Sequence, residues 1–294
     1  MNATLSIAGV YLMRTLRSWK CMVPIGVILF LAFVKAHMLA NLSGMNQWDV
    51  LWIYWNDLHM VTLLIIPSFL FLVSDLHVHD TVTGYLGVIY PRVRSRERLW
   101  FAQVLALLLV AIIYVLVSTL LIFVISGFFV PYQWSWSVPP AASQILFGNG
   151  LGVLPMLHSA ALWGRSPWIS CGWVWLLATL ELWSLSVVTV TVTLRTRHHY
   201  LPILLAFVIG AIGNSVVSEV PILLIPTSQL LVSYHLPYVI GYSLTGGLHV
   251  MAGQTTQTLG WSVSYLGFLL VASSFIGRWM MRRGDLARDK SQKD

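Results

Sequence analysis

Six apolar runs, each bounded by charged or turn residues, constrain this chain more than any other feature. They fall near Met22–Leu42, Met60–Val73, Leu99–Phe129, Ile169–Leu194, Leu201–Val217 and Leu259–Arg278. About twenty apolar residues cross a hydrocarbon core roughly 30 Å thick. The second run falls short of that unless it begins within Leu51–Asp57, and the third is long enough to tilt or to project beyond the bilayer. The expected fold is all-α, a polytopic membrane protein with six transmembrane helices in a single permease-sized domain.

Composition agrees with lipid as the solvent. Only 9% of the 294 residues are charged and 57% are hydrophobic, too few charges to clothe a soluble globule of that size. A net charge of +7 would suit a nucleic-acid partner only if the basic residues gathered on one soluble face. They lie instead in short clusters between the apolar runs, so no nucleic-acid partner is expected. Arg14, Arg17, Lys20, Arg92, Arg94, Arg96, Arg98, Arg195, Arg197, Arg278, Arg282, Arg283, Arg288, Lys290 and Lys293 all fall in segments on one side of the expected membrane, against Arg165 on the other and Lys35 inside a span. That asymmetry predicts both termini in the cytoplasm, an even number of crossings, and contacts between the basic clusters and membrane lipids.

Several segments carry expectations of their own. In residues 1–20, Leu5, Ala8, Leu12, Leu16 and Trp19 recur at helical spacing, which predicts an amphipathic interfacial helix or, alternatively, a plain extension of the first span. The basic stretch ahead of Met22 resembles a secretory leader but lacks a small-residue cleavage site, so an uncleaved first span is expected. Trp134, Trp136, Trp163 and Trp168 in or beside the outer loop Pro131–Pro167 read as interfacial anchors. Residues 218–257 contain two apolar pieces, Ile222–Leu236 and Tyr238–Met251, punctuated by Pro and Gly. They predict an outer re-entrant or interfacial helical hairpin, with two extra short spans as the alternative; irregular backbone at that depth must be buried or line an aqueous cavity. Residues 279–294 form a cytoplasmic tail.

The motif content narrows the chemistry. The chain has no G-x-x-x-x-G-K-[ST] phosphate loop, no H-E-x-x-H helix and no G-x-S-x-G elbow. It is not expected to be an enzyme, and ATP-driven work would need a second subunit. Asp75, His77, His79 and Asp80 could form an imidazole and carboxylate cluster, yet polar residues are ordinary at headgroup level, so no metal is expected. Cys21 and Cys171 fall near opposite membrane faces, beyond the reach of a disulfide. Two ionisable residues lie inside spans. Glu181 sits near the centre of the fourth, where a carboxylate faces the protein interior, either in a functional role or as a neutral acid hydrogen-bonded to nearby Ser and Thr. Lys35 is nearer the outer end of the first span and either snorkels to the headgroups or pairs with Glu181, snorkelling being preferred.

The most informative stretch is the inner loop at residues 75–98. It runs from an acidic start through the apolar Tyr85, Leu86, Val88 and Ile89 to Pro91 and an arginine series. Its apolar centre suits entry into a partner's groove while the arginines hold leaflet phosphates, although an ordinary basic loop reads similarly. Here the chain resembles the permease subunits of type-2 ATP-binding-cassette (ABC) exporters. The matching residues are Asp80, Gly84, Leu86–Ile89, Pro91, Ser95–Arg96 and Gln103, although Asp80 replaces a glutamate and Gln103 stands where a lysine is common. The layout is also similar: an N-terminal interfacial helix, six spans and a broken apolar hairpin before the last.

The resemblance implies a partner-docking coupling loop of Asp80, Gly84, Tyr85, Leu86, Ile89, Pro91, Arg94 and Arg96. It further implies two cytoplasmic ABC ATPase subunits per complex, which would hold ATP and Mg, and pairing with a second permease copy or a sister permease. The cargo would be a hydrophobic or amphipathic peptide, antibiotic or drug leaving through a bacterial or archaeal plasma membrane. The competing readings are an intramembrane enzyme and a proton-coupled secondary transporter, both built on Glu181.

Overall fold

The computed structural model describes residues 2–41, 44–74, 95–136, 166–196 and 258–283, two strands at 238–242 and 248–252, and isolated positions between 200 and 229. Its helices are α1 (Asn2–Arg17), α2 (Met22–Ala40), α3 (Gln47–Asn56), α4 (Leu58–Met60), α5 (Ile66–Val73), α6 (Arg96–Ser126), α7 (Pro167–Thr196) and α8 (Leu259–Arg283), with a 3-10 turn at Trp19–Cys21 and a π-helical turn at Val61–Ile65. Four stretches, Trp19–Ala40, Arg96–Ser126, Pro167–Thr196 and Leu259–Arg282, are long and apolar enough to cross a membrane, and the bent pair Gln47–Asn56 and Val61–Val73 makes a fifth if counted as one span. Outward faces are apolar as well: Phe30 and Phe33 on α2, Leu116 and Leu120 on α6, and Phe268 and Phe275 on α8 are exposed. Helices apolar on both sides bury one face in protein and the other in lipid. The chain is a membrane protein built of several spanning α-helices.

α6 is the hub, packing against α1, α2, α3, α7 and α8. Its 31 residues rise about 46 Å at 1.5 Å each, so it overruns the hydrocarbon core as its sequence run predicts. Two indoles tie it to its neighbours through backbone carbonyls: Trp183 Nε1 donates to Val104 O at 2.9 Å, and Trp100 Nε1 to Ser274 O at 3.0 Å. α7 packs most extensively on α8. Its C-terminal half is lined by buried Ser184, Ser186, Thr189, Thr191 and Thr193. Small hydroxyl residues let helices approach closely in lipid, where packing and polar contacts replace the hydrophobic drive. Most of these hydroxyls bond within their own helix, but Thr191 Oγ1 donates across to Ser273 O at 3.2 Å.

The second run, Met60–Val73, is short unless it begins within Leu51–Asp57, and a helix does precede it there, α3, set at an angle to the helix that follows. α3 begins at a capping box in which Asn46 Oδ1 accepts from Trp48 N at 2.9 Å and Asp49 Oδ2 accepts from Asn46 N at 2.8 Å. It ends where Asp57 turns extended (φ −83°, ψ 103°). Asp57 then opens the next segment, its Oδ1 accepting from Met60 N at 3.2 Å. The π turn precedes Pro67, which has no N–H to return to the turn before it and so favours a widened helix there. The two halves of the pair are bent by 69°. All ten residues of α3 are buried, whereas at the break Asp57 and Met60 are half-buried and His59 is exposed.

α1 is a helix that seats Ala8, Tyr11 and Thr15 against the bundle and leaves Leu5 exposed. One further expectation changes. Tyr238–Tyr242 and Leu248–Ala252 form β1 and β2, an antiparallel ladder pairing Tyr238 with Ala252 and Tyr242 with Leu248. The described parts of the apolar piece Tyr238–Met251 are thus paired strands, where helix was expected; the β-branched and aromatic residues of Tyr238–Tyr242 favour that pairing. Most of the fifth run, Leu201–Val217, and the rest of 218–257 lie outside the described residues.

Candidate functional site

The two ends of the bundle differ in charge. Contacts of Trp19 with Phe71, Tyr11 with Gln103, and Glu97 with Arg278 gather the start of α2, the end of α5, the start of α6 and the end of α8 at one end. Arg14, Arg17, Lys20, Arg96, Arg98, Arg195, Arg278, Arg282 and Arg283 belong to this end, and Lys35 is the only other basic side chain, histidines aside, among the described residues. The opposite end joins the N-termini of α3 and α7 to the C-terminus of α6 through Trp48, Trp168 and Phe123.

At the basic end, α1 lies against α6. Gln103 is fully buried and its Nε2 donates to Tyr11 Oη at 3.3 Å. The Lys20 ammonium sits 4.8 Å from the centre of the Phe71 ring, which Trp19 meets edge-on. Glu97 bridges two guanidinium groups of α8, accepting from Arg278 at 2.6 Å and from Arg282. α1, the 3-10 turn that follows it, the last turn of α5 and the start of α6 therefore meet at this end, where Ser74 closes α5 and Ser95 precedes α6.

Inside the bundle, Lys35 pairs with Asp57 across α2 and the break in the second span, with side chains only 7% and 16% exposed. This corrects the sequence reading: Lys35 neither snorkels nor pairs with Glu181. Counted from the basic end at 1.5 Å per residue, Lys35 lies about 20 Å above Met22 and Asp57 about 24 Å above Val73, so the two charges share a depth. That count was the available signal, and treating Asp57 as a loop residue concealed it. Tyr54 of α3, Ser68 of α5, and Tyr114 and Ser118 of α6 bring hydroxyls together in the interior.

Glu181 is fully buried in mid-α7, on the face shared by Val174, Leu177, Ala178 and Leu182. It faces the interior, as expected, and Tyr265 of α8 lies within electrostatic reach of its carboxylate. Such a site can hold a proton or orient a polar group. Glu181 and the Lys35–Asp57 pair belong to different helix contacts.

Of the expected coupling residues, Arg96 opens α6 after Ser95, which is extended at φ −156°. Asp80, Gly84, Tyr85, Leu86, Ile89, Pro91 and Arg94 lie outside the described residues, as does the His77–His79 cluster. Among the described residues no group of three or more His, Cys, Asp or Glu is placed to hold a metal ion. Cys21 and Cys171 are free thiols. Set against known protein families and curated proteins, the chain matches no family model and no relative.

Proposed function

We propose that this chain is the transmembrane permease subunit of an ATP-driven exporter of the type-2 ABC kind, with six spans and both termini in the cytoplasm. The observation that supports it most is the basic end: Tyr11–Gln103 joins α1 to the start of α6, and Lys20–Phe71 joins the turn after α1 to the end of α5. Gln103, one of the residues that carry the resemblance, is there the bond between α6 and the N-terminal helix. In this reading Asp80–Arg98 docks a cytoplasmic ATPase that holds ATP and Mg, and a force on the loop reaches α6, the hub of the bundle. Two ATPases and a second permease complete the complex, and a hydrophobic or amphipathic peptide, antibiotic or drug is the cargo. A coupling loop works by giving the bound ATPase different affinities for two permease states.

The test is purification of the tagged chain from its host in mild detergent, with mass spectrometry of what accompanies it. Recovery of a soluble protein bearing a phosphate loop, lost on Leu86→Asp with Ile89→Asp, supports the reading. A chain that purifies alone while retaining activity overturns it.

The complete burial of Glu181 beside Tyr265 favours a second reading, a proton-coupled transporter. Glu181→Gln separates the two: transport abolished with assembly intact supports proton coupling, and mild loss supports the exporter.

A further inference from the structure

The end of the bundle away from the basic platform carries a small aromatic pocket. A cavity of about 240 Å³ opens there among Trp48, Phe123, Tyr132, Trp134 and Trp168, with Gln47 and Gln133 at its edge. Trp48 is its buried floor, meeting Phe123 edge-on at 4.8 Å and Trp168 at 4.5 Å. Trp134 and Trp168 form walls with centroids 6.4 Å apart, inclined by 33°. Trp residues that only anchor a protein in the headgroup layer point outward singly. These converge on one space.

The polar groups around the cavity are occupied. Gln47 Nε2 donates to Gln133 O at 2.6 Å and Gln47 Oε1 accepts from Gln133 N at 2.9 Å. Trp48 Nε1 donates to Gln133 O at 2.8 Å, Tyr132 Oη to Phe123 O at 2.7 Å, and Asn46 Nδ2 to Gln133 Oε1 at 3.2 Å. A ligand that must donate hydrogen bonds, such as a primary amine or an alcohol, meets acceptors already engaged and leaves its own donors unsatisfied. A quaternary ammonium has no N–H to satisfy and is attracted to ring faces. Among the described residues no basic side chain lines the cavity, Asp49 follows Trp48 in the first turn of α3, and the carbonyl end of α6 adjoins it. The volume is below that of pockets for drug-sized molecules, roughly 300–1,000 Å³, and suits a single headgroup.

We propose that this aromatic pocket binds a quaternary ammonium group. Its chemistry is that of choline, carried on a lipid headgroup or on a free solute, and the site does not depend on an ATPase partner.

The experiment uses the full chain in nanodiscs of phosphatidylethanolamine and phosphatidylglycerol, titrated with tetramethylammonium by calorimetry. Saturable binding is expected, weakened about tenfold by Trp168→Leu, which keeps apolar bulk and removes the ring face. Trp134→Leu is the second variant: the side chain is 84% exposed, so its loss of binding is expected without a change in melting temperature. Choline should bind about tenfold more tightly than its neutral isostere 3,3-dimethylbutanol. Repeating the titration with phosphatidylcholine in the disc distinguishes the sources: lost tetramethylammonium binding identifies the lipid headgroup, and retained binding identifies a free solute. Absence of saturable binding, equal affinity for the neutral isostere, or undiminished binding in both Leu variants overturns the proposal.

Discussion

Removing one partner of the Lys35–Asp57 pair should destabilise the protein more than any other single polar change among the described residues. Both side chains are at least five-sixths buried, and Asp57 sits where α3 stops and the second half of the span begins. Lys35→Met leaves a buried carboxylate without its counter-charge, a change that costs about 3–5 kcal/mol at sites of this kind. Asp57→Asn strands the ammonium at similar cost while keeping an oxygen to accept from Met60 N. Asp57→Ala removes that cap too and should lose about 1 kcal/mol more. Lys35→Met with Asp57→Asn removes both charges and should recover most of the loss, leaving the double variant far more stable than the sum of the two single changes predicts. The assay is unfolding in mixed micelles titrated with SDS, followed by tryptophan fluorescence and helical circular dichroism. Single variants within about 0.5 kcal/mol of the parent, or a strictly additive double variant, would refute a coupled buried pair.

Three further perturbations test the packing around α6. A Cβ on Gly277 would lie 2.2 Å from Trp100 Cζ2, so Gly277→Ala should cost about 1–3 kcal/mol through overpacking; a thermal melt checks it, and Trp100→Leu in the same chain should restore part of the loss. Tyr11→Phe deprives buried Gln103 of its partner and should cost about 1–3 kcal/mol, read by the same melts together with faster proteolysis of α1. Glu97→Gln releases Arg278 and Arg282 at a partly exposed site, so its effect on melting should be smaller than that of Lys35→Met and should diminish with added salt.

The spans were legible to within a few residues at α2, α6, α7 and α8 because the length and hydropathy of a crossing are properties of a run taken alone. The capping signature of α3 was also present, with Asn46 followed three residues later by Asp49 at the head of an apolar run. It went unused because hydropathy placed the second span after Asp57. Glu181 read correctly as inward-facing, since its neighbours at helical spacing define one face.

The sequence by itself determined that lipid is the solvent, that several of its runs are long and apolar enough to cross it and that charge gathers at one end, because these depend on composition and order along the chain. Only the tertiary structure decided that Lys35 meets Asp57, that Gln103 meets Tyr11, and that Trp48, Trp134 and Trp168 enclose a single cavity. Those meetings depend on the relative depth and rotation of helices. In a membrane both are selected by shape and polar contact between neighbours, and hydropathy, nearly the same on every face of these helices, carries no record of them.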